Sequence, residues 1–114
     1  MKELSRRHIQ VGEKIKRTLA GLFSQGRFDR ITTDIISILE VRPSRGYENA
    51  VVFVRAFDTD KTDSVVEALN AAAGEIRYEL AHTADMRSTP ELLFRRDEAE
   101  DTAARIDALL REGL

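Results

Sequence analysis

The feature that most constrains the fold is a helical pattern over residues 62–84 that small residues interrupt once, at Ala72-Ala73-Gly74. Apolar side chains recur at intervals of three and four on both sides of the interruption, which is the spacing of a buried helix face. Alanine and glycine at such a point indicate a kink between two helices rather than one straight helix. The apolar positions are Val65, Val66, Leu69, Ile76, Leu80 and Ala84.

Capping and turn residues divide the rest of the chain into elements. Ser5 is a candidate N-cap of a first helix, and Gly26 is a candidate C-terminal cap. The turn at residues 42–46 is short, so the strands on either side of it are predicted to be antiparallel. The residue before Pro90 avoids the helical region, which predicts extended chain leading into a third strand. The predicted elements are a helix over 5–24, strands over 31–42 and 49–57, the kinked helices over 62–84, a strand over 91–96 and a helix over 98–112.

This order predicts a single α+β domain over residues 1–114, with helices on one face of a three-stranded sheet. The hydrophobic fraction of 42% excludes a disordered chain, and Phe53, Phe57 and Phe94 are expected in the core. The absence of cysteine excludes disulfides and thiolate metal sites. No apolar run approaches the roughly 18 residues of a membrane span, and the N-terminus lacks the apolar region of a signal peptide. We therefore expect a soluble cytoplasmic protein with no membrane partner.

Positive charge is concentrated at the N-terminal end of the chain. Residues 1–30 hold eight Lys and Arg and three acids, whereas residues 31–114 hold ten basic and seventeen acidic residues. On the first predicted helix, which we label α1, helical spacing forms a stripe of polar and basic side chains that we call the α1 stripe. It consists of Arg7, Gln10, Lys14 and Arg17, with Arg6 near its edge. Such a row can follow a phosphate backbone and release its counterions. The alternative is an ordinary solvated helix face.

Several segments together resemble the ribosome-binding factor A family across nearly the whole chain. They are Arg7…Val11…Ile15, Glu40-Val41-Arg42-Pro43-Ser44, Asn49-Ala50-Val51-Val52-Phe53-Val54, Leu69…Ala72-Ala73-Gly74-Glu75-Ile76-Arg77, Arg87…Pro90-Glu91-Leu92…Phe94…Asp97 and Ile106…Leu109-Leu110. In that family the order of elements is that of a type II KH domain. A kink of the form Ala-X-Gly replaces the Gly-X-X-Gly loop that clamps nucleic acid in other KH domains.

The resemblance implies a ribosome-binding factor that assists late maturation of the 30S subunit. Its partners would be the free 30S particle and 16S rRNA, and it would be needed for efficient processing of the rRNA 5′ end and for growth in the cold. It would be a monomer without cofactor, metal or small-molecule substrate. The residues expected to contact RNA, besides the α1 stripe and Arg6, are Arg42, Arg45, Ala73, Gly74, Arg77 and Arg87.

The kink has two readings. Small residues there let an RNA backbone approach closely, and the second helix offers N–H groups to phosphate, with Arg77 helping and Glu75 opposing. Alternatively, the small residues only let two helices turn across the sheet. The segment before Pro90 is often richly basic in the family, whereas this chain carries Asp85 there.

Two other functions remain open at this level. One is a different RNA-binding protein of the KH type, although no Gly-X-X-Gly is present. The other is a protein-interaction or small-ligand regulatory domain without RNA binding, whose acidic C-terminal half would be the working surface. No Ser/His/Asp set, phosphate loop or nucleophile motif is visible, so we expect no enzyme activity. His8 is expected to pack half-buried beside the apolar face of the first helix.

Overall fold

The computed structural model describes residues 5–97, which form three helices and three strands around one hydrophobic core. The elements are α1 (Arg6–Ser24), β1 (Ile36–Pro43), β2 (Asn49–Ala56), α2 (Thr62–Ala71), α3 (Ala73–Ala84) and β3 (Glu91–Arg96), with a short 3-10 turn (Thr59–Lys61) before α2. The predicted helix over 98–112 lies outside the described residues.

The sheet has the order β1-β2-β3, with β1 antiparallel to β2 and β2 parallel to β3. Alternate side chains of the central strand β2 are buried, and helices α1, α2 and α3 cover that face. The predicted α+β class with a three-stranded sheet is therefore confirmed. The more specific type II KH assignment stays a prediction.

Helix α1 begins and ends where its capping residues predict. The Ser5 hydroxyl accepts a hydrogen bond from the backbone N–H of His8. At the other end Gly26 adopts a left-handed φ of 77°. Its N–H donates to the Phe23 carbonyl and the Arg27 N–H to the Leu22 carbonyl, each at 3.1 Å. These two bonds satisfy carbonyls that the end of a helix leaves free.

A glycine in the middle of α1 allows the helix to lie directly on the sheet. Gly12 is buried, and a Cβ built on it would lie 2.4 Å from the carbonyl oxygen of Val41 in β1. A methyl group at position 12 would therefore force the helix away from the strand. Gly21 of the same helix differs, because a Cβ there meets nothing within 4 Å.

Two predictions were wrong. Residues 31–35 are not part of a strand, since the N–H groups of Ile31 and Thr32 both bond to the Phe28 carbonyl and close a turn. Burial of the Phe28 ring edge-on against Phe23, at 4.8 Å between centroids, outweighs the strand preference of this segment. Of the phenylalanines expected in the core, Phe94 is buried, whereas Phe57 follows the end of β2 and its side chain is 85% exposed. Phe53 is only half-buried, because it alternates along β2 with the buried Val52 and Val54 and so lies on the other face of the sheet.

Candidate nucleic-acid interface

The kink between α2 and α3 is made by Ala72. Its backbone leaves the helical region at φ −106° and ψ 14°, and its N–H bonds to the Ala68 and Leu69 carbonyls while its own carbonyl accepts from Ile76. Gly74 follows in the first turn of α3 with helical backbone, is exposed, and has open space where a Cβ would stand. The fold itself therefore does not require glycine at position 74.

Two grooves meet at residues 85–90, the loop that joins α3 to β3. The first, which we call the α3 groove, has a volume of about 500 Å³. Its walls include Gly74, Arg77, Tyr78, Ala81, Arg87 and Ser88. The second, the α1 groove, has a volume of about 420 Å³. Its walls include Arg7, Val11, Lys14, Tyr47, Asp85 and Arg87. Because Met86, Arg87 and Ser88 line both, the grooves form one continuous surface.

This surface brings together residues that were predicted from three separate segments. Arg7 and Lys14 come from α1, Gly74 and Arg77 from α3, and Arg87 from the loop. Arg45 lies next to Gly46, which also lines the α1 groove. The remaining predicted positions lie outside the linings of both grooves and are Arg6, Gln10, Arg17, Arg42 and Ala73.

The α1 stripe is exposed along its whole length. Arg7, Gln10, Lys14 and Arg17 are all solvent-accessible, as is Arg6 beside them. Within residues 5–97 none of these cations has a carboxylate partner. The Arg7 guanidinium instead lies 5.8 Å from the centre of the Tyr47 ring. The cations of the stripe are therefore not held in ion pairs among the described residues, although Asp85 lies in the same groove as Arg7 and Lys14.

Ion pairs offset the acidic side chains of α3 near the kink. Glu75, which was predicted to oppose an anion at the start of α3, is bonded to Arg30. One turn later, Glu79 accepts from Arg27 at 2.9 Å. These exposed pairs contribute little to stability. Their consequence is electrostatic, since they reduce the negative field beside Gly74.

Arg77 holds the loop in place. Its Nε and Nη2 donate to the Thr89 carbonyl at 3.0 and 2.8 Å, which ties α3 to the residue before Pro90. Thr89 and Pro90 are buried, so this bond fixes the backbone that carries Arg87. A guanidinium has five N–H groups and keeps its charge, so Arg77 retains donors beyond those used here.

The turn between β1 and β2 is joined to the start of α1 by His8. The half-buried ring stacks on Tyr47 at 4.6 Å with planes 15° apart, and its Nε2 lies 3.1 Å from the Arg45 carbonyl. A carbonyl oxygen only accepts, so Nε2 carries the hydrogen. The predicted packing role of His8 is confirmed. Of the two turn arginines, Arg42 is paired with Glu40 at 2.6 Å, whereas Arg45 is exposed beside the α1 groove.

Sequence reasoning missed both tyrosines. Tyr78 could have been found, because it lies four residues after Gly74 on one face of α3. Tyr47 could not, because its place in the α1 groove depends on a left-handed backbone with φ of 64°, which is uncommon for a residue with a bulky side chain.

Neither metal ligands nor membrane helices are found in the part of the chain that the structure describes. No three His, Asp or Glu side chains among residues 5–97 are grouped so that they could hold a metal ion. None of the described helices combines the length and apolar character needed to cross a membrane.

Comparisons with known proteins agree with the resemblance. Residues 7–110 match the family model of ribosome-binding factor A. Ribosome-binding factor A of Afipia carboxidovorans is 38% identical over 94% of this chain and 77% of its own length. That of Bartonella henselae is 38% identical over 96% of this chain and 85% of its own length.

Solved structures show the same relationship. The crystal structure of ribosome-binding factor A from Thermus thermophilus superposes with a TM-score of 0.63 at 25% identity, over 82% of this chain and 97% of that one. A homology model of the Thermus thermophilus factor, fitted into a cryo-EM map of its complex with 30S, gives a TM-score of 0.61 at 26% identity, over 76% and 91% of the two chains.

Proposed function

Because the chain belongs to the ribosome-binding factor A family, we propose that it binds the free 30S ribosomal subunit through 16S rRNA. There it assists late maturation of the particle, including efficient processing of the rRNA 5′ end, and supports growth in the cold. It acts as a monomer in the cytoplasm and has no catalytic step. The observation that carries the proposal is the continuous surface of the two grooves, to which α1, α3 and the loop each contribute cations.

The affinity in this proposal comes mainly from phosphate contacts. Each Lys or Arg that neutralises a phosphate releases condensed counterions, so binding weakens steeply as salt rises. Four groove cations have no carboxylate partner among the described residues, namely Arg7, Lys14, Arg77 and Arg87. Arg17 extends the same row along α1 beyond the groove.

The kink supplies a second kind of contact. Gly74 presents bare backbone at the start of α3, where the first N–H groups of a helix lack an intrahelical partner and favour anions. Ala73 beside it adds little bulk. A phosphate can therefore come closer to the chain at this point than a larger side chain would permit.

The factor acts by holding one conformation of the rRNA. A protein can shift the equilibrium between two RNA conformations only by as much as it binds one better than the other. Two adjoining grooves that share the residues of the loop are suited to this task, because together they favour one path of the RNA backbone. Once neighbouring RNA helices have settled, the factor leaves.

The direct test is sedimentation of the protein with purified 30S, 50S and 70S particles at low and moderate salt. We expect migration with 30S alone, lost at the higher salt. The Lys14→Glu/Arg17→Glu variant should not bind, whereas Lys61→Glu/Arg95→Glu should bind nearly normally. This control makes the same change in net charge at exposed positions outside both grooves.

The outcomes separate the proposal from its rival. Wild-type protein that sediments with none of the particles would refute it and favour a protein-interaction or small-ligand domain. Equal loss of binding in both double variants would show a general charge effect and not a contact by the α1 stripe.

A further inference from the structure

Tyr78 occupies an unusual position for an aromatic side chain. It lies on α3 one turn after Gly74, forms part of the wall of the α3 groove, and is 61% exposed. Its ring is held by His82, whose ring centre is 4.2 Å away at a tilt of 38°. The Nδ1 of His82 donates to the Tyr78 carbonyl at 2.9 Å, so the supporting ring is itself fixed.

We propose that Tyr78 is a stacking platform for one unpaired base of the RNA, a role that rests on the function proposed above. The four residues from Gly74 to Tyr78 correspond to a rise of about 6 Å along the helix. A phosphate that approaches Gly74 therefore leaves the base of a neighbouring nucleotide within reach of the ring. Unstacked bases on aromatic side chains are a common mode of RNA recognition.

The charges around the groove favour RNA over a protein partner. Arg77 and Arg87 line the α3 groove, and among residues 5–97 no acidic side chain does. The nearest acids of α3, Glu75 and Glu79, are occupied by Arg30 and Arg27. The groove therefore offers what a single strand of RNA requires. The aromatic ring can stack on a base, and the flanking arginines and the exposed protein backbone at Gly74 can contact phosphates.

A second exposed aromatic provides a matched control. Phe57 is 85% exposed but lines neither groove, and Asp58 and Asp60 follow it. Phe57→Ala also removes an exposed aromatic ring. It does so at an acidic site where we expect no RNA.

The first experiment measures 30S binding of four variants at one salt concentration and again over a salt series. Tyr78→Ala should weaken binding by between about fivefold and about a hundredfold, the range for loss of one stacked base. Tyr78→Phe and Phe57→Ala should bind as the wild type does, and Tyr78→Leu should be weak because it lacks a π face. The dependence on salt should not change in Tyr78→Ala, since no phosphate contact is lost.

The second experiment observes the ring directly. The chain has two tyrosines and no tryptophan, so Tyr47→Phe leaves Tyr78 as the sole emitter. The Tyr47 hydroxyl is buried without a hydrogen-bond partner among the described residues, so its removal should not harm the fold. Titration with a single-stranded RNA of about six adenosines, within the site sizes of single-strand binders, should quench the emission saturably, with free N-acetyltyrosinamide as the control for absorption.

Each result decides between the two proposals. If wild-type protein binds 30S and Tyr78→Ala binds equally well, stacking is refuted and the proposed function stands. If Tyr78→Leu binds as well as the wild type, the ring makes only a general apolar contact and the inference fails. It fails equally if the same RNA carrying a fluorescent label binds by anisotropy while the emission of Tyr78 is not quenched. If the wild type does not bind 30S, both proposals fall.

Discussion

Replacing Gly12 with alanine is expected to destabilise the protein, although alanine is the better helix former by about 1 kcal/mol. The added methyl carbon would stand 2.4 Å from the Val41 carbonyl oxygen, well inside ordinary contact distance. That oxygen belongs to the backbone of β1, which pairs with β2 and cannot swing aside as a side chain can. Overpacking of this kind costs about 1–3 kcal/mol. With the cost in the upper half of that range, the net loss is about 1–2 kcal/mol.

Gly21→Ala is the matched control in the same helix. A Cβ at position 21 meets nothing within 4 Å, so only the gain in helix propensity remains, about 0.5–1 kcal/mol. The two variants make the same chemical change to α1 and should move stability in opposite directions. A domain of this size shifts by roughly 4 °C per kcal/mol. We therefore expect a melting temperature about 4–8 °C lower for Gly12→Ala and about 2–4 °C higher for Gly21→Ala.

Thermal and urea unfolding followed by far-ultraviolet circular dichroism measures both shifts. The urea m-value should be unchanged, because the surface exposed on unfolding is the same. If Gly12→Ala proves as stable as Gly21→Ala, the helix does not lie against β1 as closely as described, and the argument for glycine at position 12 is wrong.

Two further substitutions test the surface and not the core. Gly74→Ala should leave the melting temperature equal or slightly higher, because open space surrounds a Cβ there, yet it should weaken 30S binding severalfold in sedimentation by blocking close approach of a phosphate. Unchanged binding would show that no phosphate comes close to the chain at this point. Asp85→Asn should tighten 30S binding at low salt, since it removes an acid from the α1 groove, while asparagine tolerates the left-handed backbone at φ 52°. Binding equal to that of the wild type would show that the RNA does not pass this residue.

The order of elements could be predicted because it follows from the spacing of apolar residues within each segment and from the capping and turn residues between segments. Ser5, Gly26 and Pro90 mark boundaries through their own backbone chemistry, and the structure places elements accordingly. The start of β1 could not be predicted in this way. Residues 31–35 favour a strand by composition, but the burial of Phe28 in the core and the turn closed on its carbonyl decide their conformation, and periodicity does not indicate that burial.

Many residues of the candidate site could be predicted from the sequence, but the way in which they come together to form the two grooves could not. Helical spacing places Arg7 and Lys14 on one stripe, yet nothing local indicates that Arg87 closes the same groove. The pairing of Glu75 with Arg30 joins positions 45 residues apart, so the predicted opposition of Glu75 to an anion could be evaluated only from the tertiary structure. Contacts between residues so far apart in sequence leave no periodic signal in a single chain.

The parallel pairing of β2 with β3 determines the stage of folding at which the proposed interface can form. Asn49 lies opposite Glu91, a separation of 42 positions along the chain, and such non-local pairings are slow steps in folding. The hairpin of β1 and β2 and the helix α1 need no such pairing, because their contacts are close in sequence. Arg77 can donate its hydrogen bonds to the Thr89 carbonyl only after the ribosome has synthesised the loop between α3 and β3. A nascent chain that ended before residue 85 would carry the whole α1 stripe but none of the loop residues that line both grooves.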